Sequence, residues 1–103
     1  MSKLIISLLL AALVIACAGK GPNKYAAAVD GAAIFKKYCI TCHGVDGKLK
    51  LNGAKDLSIS QLSKSEKILQ ITKGKNTMTP FEGILSPMEI EASAEYTMTL
   101  IKK

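Results

Sequence analysis

The chain has no arginine, a single histidine and only three cysteines, and each scarcity excludes something. Without arginine, nothing interleaves that residue with aromatics, and this part of the footprint of a nucleic-acid face is missing. One histidine rules out a pair of imidazoles on one metal within the chain. It also leaves too few donors for the four-ligand set of a structural zinc. Three cysteines cannot close two disulfides. The apolar run at residues 4–15 is 12 long, broken only by Ser7. It falls short of the roughly 20 residues a comfortable membrane span needs.

What is present begins with that run. Lys3 and the amino terminus place positive charge just before it, the arrangement of a secretory signal. Two cleavage readings stand. Val14-Ile15-Ala16-Cys17 is similar to a bacterial lipoprotein box, in which Cys17 becomes the lipid-modified first residue. Ala16-Cys17-Ala18 also suits an ordinary signal peptidase. The lipoprotein reading is favoured because it accounts for an otherwise partnerless cysteine. The expected organisation is a signal peptide over 1–16, a flexible tether over 17–28 and one folded domain over 29–103. A domain of that size is at the lower limit of what one apolar core sustains, so it needs a staple or a cofactor.

All but one of the 14 basic residues follow Cys17, against 8 acidic ones. The excess is either a solvated lysine face or a docking surface for acidic protein partners, where charge acts mainly on association rate. Export and the missing arginine argue against nucleic acid.

The spacing predicts three helices. Asp30 is an N-cap for the first, which runs to about Tyr38; Gly31, Ile34, Phe35, Tyr38 and Cys42 share one face. The second starts at Ser63, with Glu66 completing a capping box, and stops at Gly74. The third starts at Ser86-Pro87, with Glu89 completing a second box. Its inward stripe is Ile90, Ala94, Thr97 and Ile101, and Lys102 and Lys103 suit its C-terminal dipole. Two loops, 44–59 and 75–85, are long for so small a domain and need something to wrap.

Cys39-Ile40-Thr41-Cys42-His43 is a C-x-x-C-H pentapeptide, the pattern of c-type haem attachment. Two thiols three residues apart can each form a thioether with one haem vinyl group. The adjoining imidazole then reaches the iron from the same face. A redox C-x-x-C would need a βαβ setting, and no apolar strand precedes Cys39. A plain disulfide leaves His43 without a purpose. For the sixth iron position Met78 is the candidate, in a loop stiffened by Pro80, because His/Met ligation is the usual electron-transfer pair. Met1 leaves with the signal, while Met88 and Met98 sit on the third helix without the freedom to approach. The competing reading has Met78 packing on the haem edge with the iron open.

On GAAIFKKYCITCHG, NGAKDL, KGKNTMTPF and LSPMEIEASAEYTMTL the chain resembles the small monohaem class I cytochromes c of bacteria, from about Asp30 to Ile101. The resemblance implies an all-α fold of three main helices with loops wrapped around one covalent haem c. It implies that the first and last helices cross, with Gly31 and Phe35 meeting the region of Tyr96. It further implies axial ligands His43 and Met78, and haem packing by Leu57 and Ile71. One departure is Lys55, where the family often has proline near the carbonyl that accepts the proximal histidine's second N–H. The acceptor is therefore open at this point.

The function expected is a non-enzymatic single-electron carrier in a periplasmic or cell-surface respiratory chain, anchored to the membrane surface through lipidated Cys17. The alternatives are an electron-accepting cytochrome subunit of a periplasmic dehydrogenase and, ranked last, a haem gas sensor.

Overall fold

The computed structural model describes residues 29–102; Cys17, the signal and the tether lie outside the described residues. Among the described residues four α-helices follow in order: α1 (Gly31–Tyr38), α2 (Ile40–His43), α3 (Lys64–Lys73) and α4 (Pro87–Met98). Two 3₁₀ turns, Leu51–Gly53 and Leu57–Ile59, lie between α2 and α3. Among the described residues there is no strand, only an isolated antiparallel bridge between Lys75 and Met78. The described residues form an all-α architecture, as the resemblance implies.

Local chemistry sets the helix starts. The Asp30 carboxylate accepts from the Ala32 and Ala33 N–H groups at 3.0 and 3.3 Å, satisfying donors that α1 leaves free. Both halves of the capping box form at α3: Glu66 N–H donates to Ser63 Oγ at 3.2 Å, and Ser63 N–H to Glu66 Oε2 at 2.7 Å. At α4 the expected box forms only by half. Ser86 Oγ accepts from Glu89 N–H at 3.2 Å, with Pro87 in the first turn, but no return bond from the Glu89 side chain accompanies it.

The end of α4 also differs from expectation. The helix stops at Met98 with Thr99 as cap, and its last turn holds no basic residue. Thr99 Oγ1 donates to Tyr96 O at 2.6 Å, competing with continuation of the helix. The chain then turns back, and Lys102 N–H donates to Ser58 O at 2.9 Å. Lys102 is therefore tied to a loop instead of capping the dipole.

The first and last helices cross closely. A Cβ on Gly31 would run into the Ala92 carbonyl and meet Tyr96 Cβ at 3.2 Å, so only glycine allows this approach. Phe35 is buried beside it, its ring 5.2 Å from that of Tyr96 at an interplanar angle of 51°. Such a ring contributes about 1.5–3 kcal/mol on burial. The core proper is Ile71, Phe81, Leu85, Ile90 and Ala94, flanked by Ile34, Tyr38, Ile68 and Met78. Tyr38 meets Phe81 edge-on, with ring centroids 5.9 Å apart. The core thus joins α3, α4 and the loop carrying Met78.

Candidate cofactor site

Cys39 stands at the break between α1 and α2. Its N–H still donates to Phe35 O at 2.9 Å, closing α1, while its carbonyl accepts from His43 N–H at 3.0 Å, opening α2. The single turn of α2 places Cys42 one turn beyond Cys39, and Gly44, with φ 77°, ends it. Both thiols are free and half-buried. Burial, and after it the charge of a Cys42 thiolate, pushes the Cys39 thiol up from 9.0 to about 11. Near neutral pH it is therefore a protonated thiol.

His43 follows directly, and its Nδ1 lies 3.0 Å from the Lys55 carbonyl oxygen. A carbonyl can only accept, so Nδ1 carries the hydrogen, and in the neutral imidazole Nε2 is left with its lone pair bare. That is the tautomer a metal-ligating imidazole requires, with its outer nitrogen held by a backbone acceptor. The departure at Lys55 is thereby resolved: the acceptor is the carbonyl of Lys55 itself, and no proline is needed to aim it.

The loop that presents this carbonyl is held at several points. Leu57 N–H donates to Gly47 O at 2.8 Å, and Leu49 N–H to His43 O at 2.9 Å. Gly47 is buried with φ 80°, and a Cβ there would meet Leu57 Cβ at 2.9 Å. Asp56 accepts from Ser58 N–H and Oγ–H at 2.9 and 2.6 Å. These bonds, chiefly the one from the hydroxyl, lower the Asp56 carboxyl below its ordinary range. Leu57 is half-buried at the start of the second 3₁₀ turn.

Met78 closes a tight turn after Gly74, its N–H donating to Lys75 O at 2.9 Å. Asn76 takes φ 54° within it, and Gly74 takes φ 69° before it. The Met78 side chain is half-buried against the core cluster that includes Ile71, so two expected site residues come together there. A third link comes from Thr77, whose hydroxyl donates to Asn52 O at 2.8 Å. It ties the methionine loop to the loop that holds His43. The sequence pattern carries no signal for Thr77 or Asn52, because the bond ends on a backbone carbonyl that any residue could supply.

The donor set is two thiols, an imidazole with a bare Nε2 and a thioether on a separate loop. It fits an iron porphyrin held covalently at one edge. Large apolar side chains in the loop after His43, Val45, Leu49 and Leu51, are exposed in the protein alone. They are suited to cover such a group.

Residues 26–96 match the family model described as cytochrome c oxidase, cbb3-type, subunit III. The chain is 40% identical over 80 residues to cytochrome c6 of Microcystis aeruginosa, covering 72% of this chain and 98% of that one. Against cytochrome c6 of Nostoc sp. the identity is 36%, over 95% of this chain and 93% of the other. Among solved structures, the c-type cytochrome KustC0563 superposes with a TM-score of 0.66 at 30% identity, covering 72% of this chain and all of that one. The chain belongs to the class I cytochrome c family. It is a haem-based electron-transfer protein with one covalently bound haem c.

Proposed function

From that membership we infer that the chain carries single electrons with an iron held between His43 and Met78, its haem bonded to Cys39 and Cys42. The observation that carries this reading is the 3.0 Å contact of His43 Nδ1 with Lys55 O, which leaves Nε2 for a metal. Each thiol would hold the haem by adding across a vinyl group, its sulfur bonding one carbon and its hydrogen passing to the next. Leu57 and Ile71 supply apolar walls. Bound there, the haem supplies an iron that changes oxidation state by one electron. Met78 would supply the sulfur ligand on the other side of the iron, keeping other ligands out and raising the reduction potential relative to a second nitrogen donor.

The signal-like run over 1–16 supports a carrier outside the cytoplasm, and the lipoprotein-like box ending at Cys17 supports a lipid anchor on that cysteine. Among the described residues no helix is long and apolar enough to cross a membrane. One acyl chain binds only marginally, so the anchor requires the multiple acylation of a bacterial lipoprotein. The lysine excess suits partners with acidic docking surfaces in a periplasmic or cell-surface respiratory chain.

Carbon monoxide tests the ligation. The reduced protein should resist it, and Met78→Ala should bind it readily at a markedly lower potential. Ready binding by the unmodified protein would contradict a filled sixth position. Intact mass tests the anchor, since a mature chain beginning at Gly19 without lipid excludes it.

A further inference from the structure

The inner face of α3 carries two buried residues one turn apart, Lys67 and Ile71. Lys67 is 4% exposed, a rare position for an ammonium group. Its Nζ donates to Thr97 Oγ1 at 3.2 Å, and that hydroxyl donates onward to Ala94 O at 2.7 Å. The second bond fixes the hydroxyl hydrogen away from Lys67, so a lone pair faces the ammonium. The other buried hydroxyl of α4, on Ser93, is spent on Ile90 O at 2.9 Å.

Among the described residues no carboxylate lies within ion-pair reach of Lys67. The acidic residues of α4 nearest in sequence, Glu91 and Glu95, turn instead to the exposed Lys64, at 3.3 and 3.9 Å. Burial alone lowers the Lys67 ammonium below its ordinary 10.5. A buried cation served by one neutral oxygen is costly to keep. Its place gives it a use. One turn further along α3, Ile71 belongs to the core cluster on which Met78 packs.

We propose that Lys67 is a built-in positive charge that raises the reduction potential of the haem. The ferric centre carries one more positive charge than the ferrous one. A cation held in the same water-poor core opposes the ferric state more strongly than any lysine on the surface. Lys67 therefore acts as a positioning charge and touches no substrate. The inference rests on the placement of the haem against the Ile71 and Met78 side of the core.

The test is a spectroelectrochemical titration of the haem-loaded full chain, unmodified and with Lys67→Met and Lys67→Arg. Lys67→Met should favour the oxidised form about tenfold, a fall of roughly 59 mV for a one-electron couple. Lys67→Arg, which keeps the charge, should hold the potential close to the unmodified value. Equal potentials for Lys67→Met and the unmodified chain would overturn the proposal. So would a fall accompanied by loss of the weak far-red band of the oxidised form, since Lys67 would then act through Met78 and not through its charge. If the unmodified chain lacks that band, methionine ligation fails by itself. The comparison of potentials still reads the charge, because it requires a haem and not a particular sixth ligand.

Discussion

Helix α4 is packed from two sides, and the two seams are built on different principles. Against α1 the contact is close and apolar, with Gly31 set against the Ala92 carbonyl and the Phe35 ring tilted against that of Tyr96. Against α3 it includes a polar group, with Lys67 spanning to Thr97 beside a buried Ser93. The first seam is fixed by the absence of a side chain, which leaves no slack. In the second, a long flexible stem reaches across and ends on a hydroxyl. Shape holds the crossing, whereas the α3 seam accepts a costly group that geometry alone does not demand.

Substitutions at the two seams should therefore act in opposite directions. Gly31→Val drives a Cβ into helix backbone that cannot yield like a side chain, and should cost about 3 kcal/mol. Thermal unfolding of the holoprotein would show a large fall. Lys67→Met should do the reverse and stabilise by about 1.5 kcal/mol, because it replaces an unpaired buried charge with apolar volume. A fall in the midpoint would show that the bond to Thr97 outweighs desolvation, so that both seams would be held by stabilising contacts.

Smaller effects belong to the surface that supports the α3 seam. Ser63→Ala removes the reciprocal cap of α3 and should cost about 1 kcal/mol, read from the denaturant midpoint at unchanged slope. The pair between Lys73 and Glu82, 2.9 Å apart, is exposed on both sides. Its removal in Lys73→Met should cost only about 0.3 kcal/mol, and less at high salt.

Sequence reasoning reached α1, α3 and α4 because their signals are local, but not the separate turn of α2, which has no side-chain cap to mark it. Asp30, Ser63 with Glu66, and Ser86 with Pro87 mark starts through side chains that bond their own first turns. The α1–α4 crossing came from the resemblance, on Gly31, Phe35 and Tyr96. The end of α4 was not legible, because the pattern of Ile90, Ala94, Thr97 and Ile101 continues past the point where Thr99 caps the helix. The acceptor for His43 was hidden for another reason. A backbone carbonyl has no residue signature, and the position of the one at Lys55 depends on bonds such as Leu57 N–H to Gly47 O, distant in the pattern. The polar residues Ser93 and Thr97 lie on the buried face of α4 among apolar neighbours. Their meaning required the third dimension, which sets Lys67 against Thr97 from 30 residues away.

The central claim is one covalent haem with its iron between His43 and Met78. The most direct measurement is the far-red absorption of the oxidised protein in three forms: unmodified, Met78→Ala and Met98→Ala. The account predicts a weak far-red band in the unmodified protein and in Met98→Ala, and its loss in Met78→Ala. A band that survives Met78→Ala, or that disappears with Met98→Ala, would contradict it.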